Sequence, residues 1–311
     1  MVANNTELIG AQIIAQAIKD LGIKRVYLFP GGTIAPLLDA LISIGIEYVC
    51  PRNEQGAGYA AIGAAKVSGQ PQIVMVTSGP GATNLVTPIA DAFYDSVPII
   101  AITGQVSVSD MNIERKVRQT GFQETDSKSI YTPITKKAKV INKSKDLYQQ
   151  ITDMMKIATD GRPGPVLIDL PMNIQREKIE DKEWTRPSES ESNNTIASTN
   201  EIIGENDIGS VLKMLESAER PLILVGNGVY LSKASVSLRQ VIDKIGIPVV
   251  CSLPGVGAFP GNHPLYYSFI GHTGEFYANL AASYADLILV LGARLDVRQT
   301  GTELDKFHEH K

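Results

Sequence analysis

Glu54 is the residue best placed to do chemistry, because it opens a predicted helix directly after a predicted strand. The helix dipole favours a carboxylate at that position, and a positioned carboxyl group can hold or donate a proton during a reaction. The helix itself is rich in glycine and alanine, although each helical glycine costs about 1 kcal/mol relative to alanine. The small residues indicate close approach by another helix or by a cofactor. A solvated acid paired with Arg52 is an equally simple interpretation of Glu54.

Three other segments combine glycine with proline or polar residues, and each also follows a predicted strand. They are Pro30-Gly31-Gly32, Ser78-Gly79-Pro80-Gly81 and Gly104-Gln105. The carboxyl ends of parallel strands meet at one edge of an open α/β sheet, which is where ligands bind. An ordinary strand-to-helix turn explains any one of these segments. Together with the segment around Glu54, however, they predict a ligand site at this edge.

Hydrophobic periodicity supplies the elements that position these segments. Short apolar runs alternate with helical patterns, which predicts the α/β class with two doubly wound parallel-sheet domains. In the first domain the predicted strands are Val26–Phe29, Glu47–Cys50, Gln72–Thr77, Pro98–Thr103 and Pro165–Leu170, and the predicted helices are Leu8–Leu21 with Thr6 as its N-cap, Ile34–Ile44, Glu54–Val67, Ala82–Ala92 and Lys145–Thr159. In the second domain they are the strands Leu222–Val225, Pro248–Ser252 and Asp286–Leu291 and the helices Ile208–Ser217, Ala234–Ile245 and Glu275–Ser283.

Composition divides the chain into a first domain over residues 1–176, a linker over 177–207 and a second domain over 208–311. The linker is rich in serine, glutamate, asparagine and threonine, as solvated segments are. Three strands are predicted in the second domain, fewer than a free-standing doubly wound sheet normally has. That domain is therefore expected to be truncated.

Charge and composition exclude several classes of partner and site. The 311 residues carry a net charge of −4 with no long basic run, which argues against nucleic acid and anionic membrane surfaces as partners. The longest apolar runs are too short to cross a membrane and the first residues show no secretory signal, so a cytoplasmic protein is expected. Cys50 and Cys251 are expected to be reduced core residues. The four histidines leave no His/Cys metal site.

Two weaker signals lie in the second domain. Gly226-Asn227-Gly228 follows a strand as a nucleotide-binding turn does, but Leu231 stands where the dinucleotide fingerprint has its third glycine. A plain turn and a phosphate contact both stay open. Gly292, Arg294 and Arg298 follow the last predicted strand, where the arginines suit either a phosphate or flavin contact or a solvated charged loop.

Six ordered motifs carry a resemblance to a known family. They are F-P-G-G at 29–32, P-R-N-E-Q-G-A-G at 51–58, T-S-G-P-G-A-T-N at 77–84, T-G-Q-V at 103–106, G-F-Q-E-T-D at 121–126 and G-R-P-G-P-V at 161–166. With them the chain resembles the catalytic subunit of acetohydroxyacid synthase (acetolactate synthase), a thiamine diphosphate-dependent enzyme. The resemblance implies an N-terminal pyrimidine-binding domain and a central FAD-binding domain. The family's third domain binds the diphosphate through Mg²⁺ with a Gly-Asp-Gly motif. That motif occurs nowhere in these 311 residues, so the chain alone is expected to be inactive.

The resemblance also implies roles for individual residues. Glu54 matches the acid that hydrogen-bonds the aminopyrimidine ring and favours the tautomer whose nitrogen removes the thiazolium C2 proton. The implied reaction decarboxylates pyruvate and joins the product to a second 2-keto acid, as in branched-chain amino acid biosynthesis. The pocket around the ring is matched by Gly31, Pro80, Asn84 and Gln105. The implied catalytic residues are Glu54, Gly31, Phe122 and Gln123. Of these, Phe122 and Gln123 match residues that border the substrate. Positions on the FAD side are matched by Arg162, Gly226, Gly228, His272, Thr273, Gly292, Arg294 and Arg298.

Four departures from the family pattern leave the acceptor substrate and FAD binding open. They are Asn53 for histidine, Met172 for lysine, Gly271-His272-Thr273-Gly274 for Gly-Met-His-Gly, and Val297 for aspartate. One alternative is a carboligase or decarboxylase with another acceptor, such as a keto-sugar nucleotide. Another is a non-catalytic or partner-dependent half-protein, because the diphosphate-binding domain is missing. The resemblance also implies a homodimer or homotetramer with the cofactor between two subunits.

Overall fold

The computed structural model describes residues 7–111, 114, 117–180, 203–303, 305 and 307. The chain forms two compact units, Met1–Thr199 and Asn200–Lys311. Most of the predicted linker and the predicted cap Thr6 lie outside the described residues, and the predicted domain boundaries stay predictions. In the part of the chain that the structure describes, no helix is both long and apolar enough to span a membrane.

The first unit is built on a six-stranded parallel sheet, which confirms the predicted α/β class. Its strands are β1 (Leu8–Ile9), β2 (Arg25–Leu28), β3 (Glu47–Val49), β4 (Gln72–Val76), β5 (Ile99–Gln105), β6 (Lys137–Val140), β7 (Val166–Pro171) and β8 (Lys178–Ile179). The sheet order is β3-β2-β4-β5-β7-β6, and β1 pairs separately with β8 in an antiparallel ladder. The central strands β4 and β5 are covered on both faces, which explains why they are nearly continuous apolar runs.

Helices cover both faces of this sheet. They are α1 (Gly10–Asp20), α2 (Ala35–Ser43), α3 (Glu54–Ser68), α4 (Pro80–Asn84), α5 (Val86–Tyr94), α6 (Ser127–Tyr131), α7 (Leu147–Thr159) and α8 (Met172–Arg176). Successive side chains of β4 point to opposite faces. Ile73 and Met75 therefore join the core under α1, α2 and α7, while Val74 and Val76 join the core under α3 and α5.

Close packing within the unit explains the small residues of α3. A Cβ at Gly58 would lie 2.5 Å from Cγ of Pro88 on α5, so the glycine lets these helices approach each other. Ala57, Ala61 and Ala65 are buried in the same core. A neighbouring helix therefore accounts for this face of α3, whereas Gly63 faces open space.

The second unit is a four-stranded parallel sheet, in agreement with the predicted class. Its strands are β9 (Pro221–Val225), β10 (Val249–Cys251), β11 (Tyr266–Phe269) and β12 (Leu287–Leu291), in the order β11-β10-β9-β12. Its helices are α9 (Glu205–Ser217), α10 (Asn227–Leu231), α11 (Ser235–Ile245), α12 (Phe276–Tyr284) and α13 (Val297–Thr300). The prediction of three strands is wrong, because β11 is a short edge strand whose register with β10 shifts between Val249 and Cys251.

Several predicted element ends also differ from the structure. The first helix begins at Gly10, because Leu8 and Ile9 pair with β8 instead. The helix predicted over Ala82–Ala92 is divided into α4 and α5 at Leu85. Elements β6, β8 and α8 have no counterpart in the sequence prediction. Both cysteines are free thiols, but Cys50 is exposed, so its prediction as a core residue is wrong.

Candidate active site

Four strands of the first sheet end at the edge where the predicted segments lie. The segment Pro30-Gly31-Gly32 follows β2, the segment Arg52-Asn53-Glu54-Gln55 follows β3, and Ser78-Gly79-Pro80-Gly81 follows β4. Strand β5 ends at Gln105. Because all these strands are parallel, their carboxyl ends share one edge. The structure therefore brings the four segments together as the sequence predicts.

Glu54 begins α3 and is held in place by residues of two helices. The Asn53 side-chain oxygen accepts a hydrogen bond from the Gly56 N–H at 2.7 Å and caps α3. The Asn84 amide, on α4, donates to Glu54 Oε2 at 2.6 Å. The Gln55 amide donates to Asn84 Oδ1 at 3.1 Å. The half-buried Glu54 carboxylate is thus fixed to the last residue of α4.

The turn after β2 is held against the turn after β4. A side chain at Gly31 would collide with Thr77, so glycine lets the two turns touch. The Thr33 hydroxyl lies 2.8 Å from the Thr77 hydroxyl and accepts a hydrogen bond from the Ser78 N–H at 2.9 Å. At the end of β5, Gly104 packs against Thr33 in the same way. These contacts join three of the four segments.

The chain returns over this edge after β5 and brings Gln123 to the turn that precedes α4. Gly79 in that turn has φ +63° and ψ −121°, which L side chains rarely adopt, and a Cβ there would lie 2.8 Å from Gln123 Cβ. Gln123 itself has φ +61°, and the neighbouring Phe122 is 84% exposed. Pro80, at the start of α4, is exposed as well. The predicted substrate-side residues therefore lie at the turn that carries Pro80.

Gln105 is fully buried, and its amide is engaged inside the protein. Its Nε2 donates to Asp169 Oδ2 at 2.9 Å and to the Thr125 carbonyl at 2.7 Å. Its Oε1 accepts a hydrogen bond from the Val106 N–H at 2.9 Å. The predicted contact between Gln105 and a cofactor ring stays a prediction, while the side chain demonstrably binds two neighbouring segments of its own chain.

Asp169 is a buried carboxyl group that sequence reasoning missed. It is 1% exposed and accepts hydrogen bonds from the Thr103 hydroxyl at 2.7 Å and from Gln105. Burial raises the pKa of Asp169 to about 7 even though these hydrogen bonds act in the opposite direction. Burial and the neighbouring charge of Asp169 also raise the pKa of Tyr131. The sequence signal for Asp169 is its position as a lone acid in the apolar run Val166–Leu170.

Arg162 lies away from this edge. It precedes β7, and its Nε donates to the hydroxyl of Ser96, which precedes β5, at 2.7 Å. Both residues are therefore at the amino edge of the sheet, opposite Glu54. The first unit does not bring Arg162 together with its other predicted site residues, and the FAD contact predicted for Arg162 stays a prediction.

In the second unit, the turns after β9 and β12 touch backbone to backbone. The Gly226 N–H donates to the Leu291 carbonyl at 2.8 Å, and the Gly228 N–H donates to the Gly292 carbonyl at 2.9 Å. A side chain at Gly226 would collide with Gly292. Packing explains these three glycines, and they lie at the carboxyl edge of their sheet, where α/β proteins bind ligands.

The other predicted residues of the second unit lie at the same edge. Arg294 Nε donates to Asp296 Oδ2 at 2.9 Å, and the Arg294 side chain is 60% exposed. Asp296 caps α13 by accepting a hydrogen bond from the Arg298 N–H at 3.0 Å. The Arg298 carbonyl accepts a hydrogen bond from the His272 N–H at 3.1 Å, which ties the segment after β11 to α13. His272 and Thr273 are exposed.

Comparison with known families identifies both units. Residues 9–130 match the family described as "Thiamine pyrophosphate enzyme, N-terminal TPP binding domain". Residues 208–311 match "Thiamine pyrophosphate enzyme, central domain". The first match includes Glu54 and the glycine-rich turns of the site. The chain therefore belongs to the thiamine pyrophosphate enzymes, of which it carries the N-terminal and central domains.

Its relatives include large subunits of acetolactate synthases. The chain is 36% identical over 301 residues to the acetolactate synthase isozyme 2 large subunit of Escherichia coli. This match covers 97% of this chain and 52% of the relative. It is 38% identical over 293 residues to the probable acetolactate synthase large subunit of Methanocaldococcus jannaschii (94% and 48%). It is 39% identical over 293 residues to the acetolactate synthase large subunit of Lactococcus lactis (93% and 48%). The chain thus spans about half the length of the curated relatives it matches.

The residues at the edge of the first sheet fit one end of thiamine pyrophosphate. Ser78 is fully buried there, and its hydroxyl has no hydrogen-bond partner among the described residues. A Cβ at Gly81 would lie 2.7 Å from Cγ2 of Thr77, so glycine lets α4 approach the end of β4, and Glu54 Oε1 lies on the same side of Gly81. A carboxylate that can accept and a hydroxyl that can donate, both at this edge, suit a nitrogen heterocycle that donates and accepts hydrogen bonds. Across residues 7–307, with the gaps given above, no group of three or more His, Cys, Asp or Glu side chains is arranged to hold a metal ion.

Proposed function

We propose that the protein carrying this chain decarboxylates a 2-keto acid, pyruvate, and joins the resulting two-carbon unit to a second 2-keto acid. This is acetolactate synthase activity. The observation that supports it is the Glu54 carboxylate, held by Asn84 at 2.6 Å on the ligand-binding edge of a thiamine pyrophosphate-binding domain. Relatives named acetolactate synthase match nearly all of the chain.

In this proposal, Glu54 holds a proton at a ring nitrogen of the cofactor. Asn84 binds one carboxylate oxygen, and the other lies on the side of Gly81. Thiamine pyrophosphate, when bound, supplies the electron sink for decarboxylation. Gly31 and Pro80 line the ring pocket. Phe122 and Gln123 cover its substrate side, where they orient the 2-keto acid and exclude water.

We propose that Mg²⁺ and the diphosphate end of the cofactor are held by residues outside these 311. The chain contains no Gly-Asp-Gly segment and spans about half the length of its relatives. A reacting carbon is positioned well only when the cofactor is held at both ends. The 311 residues by themselves are therefore expected to turn over pyruvate negligibly.

A flavin site in the second unit forms part of the same proposal. The exposed arginines Arg294 and Arg298 lie in the segment after β12, and the first residue of that segment, Gly292, contacts the backbone of Gly226 and Gly228 at a carboxyl sheet edge. Such an edge, with cations nearby, suits the diphosphate of FAD. His272 and Thr273 border this site in the proposal. The protein is further proposed to be a cytoplasmic homodimer or homotetramer, which sedimentation of the whole protein tests.

One observation favours a second candidate function, transfer of the two-carbon unit to a different acceptor. Asn53, which replaces the histidine of the family pattern, uses its side-chain oxygen to cap α3. Directly after β7, Met172 begins α8 at the position where the family pattern has lysine. A substrate-side surface with an amide in place of a histidine and a thioether in place of a lysine suits an acceptor other than pyruvate, such as a keto-sugar nucleotide.

The test uses the whole protein with thiamine pyrophosphate, Mg²⁺ and pyruvate. Wild type is expected to form acetolactate, and Glu54→Gln is expected to lower kcat at least about 100-fold, the lower range of general acid–base catalysis. Glu47→Gln is the matched control, because Glu47 is exposed at the opposite edge of the sheet, where it pairs with Arg25. The proposal is overturned if wild type consumes no pyruvate or if the Glu54 variant keeps the wild-type rate. Pyruvate consumption with product formed only on a second acceptor selects the second candidate.

A further inference from the structure

A buried hydrogen-bond chain runs from the sheet to the loop over the candidate active site. Asp169 on β7 accepts from Thr103 on β5 at 2.7 Å and from Gln105 Nε2 at 2.9 Å. The same Nε2 donates to the Thr125 carbonyl at 2.7 Å. Asp169 and Gln105 are at most 1% exposed. The chain therefore links two central strands to the segment that carries Phe122 and Gln123.

Asp169 allows only one orientation of the Gln105 amide. In the observed orientation both N–H groups of Nε2 face acceptors, and Oε1 faces the Val106 N–H at 2.9 Å. If the amide were rotated by half a turn, Oε1 would face the Asp169 carboxylate and the Thr125 carbonyl. Two acceptors facing each other in a buried site are costly, since each loses its hydrogen bond. The carboxylate thus selects the orientation that binds the loop.

The loop needs such an anchor because its conformation is strained. Gln123 has φ +61°, which is uncommon for a residue other than glycine. The Glu124 carboxylate accepts hydrogen bonds from the N–H groups of Thr120 and Gly121, but these contacts lie within the loop. The contact with Gly79 places Gln123 on the turn after β4. Gln105 ties the loop to the sheet through Thr125, and Ser127, the first residue after residues 121–126, interacts with Asp169 itself.

We propose that Asp169 is a positioning residue: by orienting Gln105, it holds residues 121–126 over the candidate active site and so sets the place of Phe122 and Gln123. The assignment of these two residues to the substrate rests on the proposed function. The anchoring of the loop does not depend on it. Asp169 acts through Gln105 and is not a catalytic residue.

Hydrogen exchange of the whole protein at pH 8, without substrate, tests the anchoring. In Asp169→Ala, Gln105 loses the acceptor that orients it, and exchange in the peptide 117–131 is expected to rise at least tenfold. Thr103→Val is the matched control, because it removes a buried hydrogen bond of Asp169 and leaves the Asp169–Gln105–Thr125 chain. It is expected to keep exchange within threefold of wild type. Asp169→Asn is expected to restore protection, since its oxygen can accept from Gln105 while its amide donates to the Thr103 hydroxyl.

Two results of the exchange experiment overturn the proposal. Unchanged exchange in Asp169→Ala shows that Gln105 stays oriented without the carboxylate. An equal rise in Asp169→Ala and Thr103→Val shows a general loosening of the core. If Asp169→Ala does not fold, Gln105→Met supplies the same comparison, because it removes the bond to Thr125 while Asp169 keeps Thr103.

Kinetics of the same variants connect the anchor to the reaction. Asp169→Ala is expected to raise the KM for the 2-keto acid at least fivefold and to leave the affinity for thiamine pyrophosphate within twofold of wild type. Thr103→Val is expected to leave both within twofold. Equal changes in KM and in cofactor affinity overturn the positioning role. If wild type forms no product, the proposed function fails, and the exchange result still decides whether Asp169 anchors the loop.

Discussion

The side-chain amide of Asn84 donates to the carboxylate of Glu54 at 2.6 Å, although the two residues are 30 positions apart. Gln55, which follows Glu54, donates to the oxygen of the same amide at 3.1 Å. Asn84 is therefore oriented on both sides, and the direction of Glu54 depends on a helix that follows a different strand. Contacts between α3 and α4 therefore fix the orientation of Glu54, the candidate proton carrier.

Replacing Asn84 by aspartate is expected to lower kcat for acetolactate formation at least about tenfold. The substitution keeps the side-chain size but places a second carboxylate against Glu54, and like charges in contact cost several kcal/mol. Asn206→Asp is the control, because Asn206 is exposed on α9. Steady-state kinetics with saturating thiamine pyrophosphate measures the effect. A kcat for Asn84→Asp equal to that of Asn206→Asp would contradict the role given to this contact.

Alanine at Gly79 is expected to destabilise the protein by about 1–3 kcal/mol, the cost of a sparsely populated backbone conformation. Gly79 has φ +63°, and the new Cβ would also meet Gln123 at 2.8 Å. Alanine at Gly63, in open space in the middle of α3, is expected to stabilise by up to about 1 kcal/mol.

Thermal unfolding followed by circular dichroism measures both glycine variants. A Gly79 variant as stable as wild type would show that this turn relaxes freely. A lower melting temperature for Gly63→Ala, accompanied by a shift toward a smaller sedimenting species, would instead indicate that a second subunit packs closely on α3.

Asp169→Asn is expected to flatten the pH dependence of stability. Burial raises the pKa of Asp169 from 3.8 to about 7, so the folded protein keeps a proton that the unfolded chain has released. The resulting stabilisation is fully present when the pH is below the pKa of Asp169 in the unfolded chain, and it is lost as the pH rises through the pKa of Asp169 in the folded protein. Between about pH 5.5 and pH 7, wild type is expected to lose roughly 1.5 kcal/mol relative to Asp169→Asn, because the slope is about 1.36 kcal/mol per pH unit at first and falls by half at the folded pKa.

Urea unfolding at these two pH values measures the difference. Asp153→Asn serves as the control, because Asp153 is an exposed aspartate on α7 and is expected to keep the wild-type slope. Identical slopes for wild type and Asp169→Asn would show that Asp169 does not hold a proton in this range.

Replacing Arg294 by methionine is expected to weaken FAD binding about 10- to 100-fold. A hydrogen bond to a charged group contributes about 1.5–3 kcal/mol, and the Arg294 guanidinium is exposed beside the glycine turns. Arg239→Met is the control, because Arg239 is an exposed arginine on α11 that lies near Asp243. Titration of the whole protein with FAD, followed by flavin fluorescence, measures the affinity. Absence of FAD binding in wild type would overturn the flavin proposal.

Most of the fold was predictable from local pattern. The buried strands β4 and β5 are continuous apolar runs, and α3 and α7 carry long helical signals, so their type and order were correct. Strand β6 was missed because Lys137–Val140 has only four residues, too few for their alternation of lysine with apolar residues to stand out, and it pairs with β7 alone. The strand β11 was missed for the same reason, since it is an edge strand that depends on β10.

The candidate site was predictable in location but not in detail. Parallel strands place their carboxyl ends together, so the turns at Gly31, Gly79 and Glu54 had to meet once the sheet was assigned. Asp169 escaped notice because a lone acid in an apolar strand does not show which side chains it binds. Its role depends on Thr103 and Gln105, which are more than 60 residues earlier in the chain.

The sequence by itself determined the α/β class, the order of the elements and the edge at which the candidate site lies, because these follow from periodicity and from the geometry of parallel strands. Only the tertiary structure decided which side chains are joined. It paired Asn84 with Glu54, directed the Gln105 amide to Asp169 and Thr125, and placed Arg162 at the opposite edge. Hydrogen bonds between distant segments depend on strand register and turn geometry, and neither leaves a mark in the local sequence.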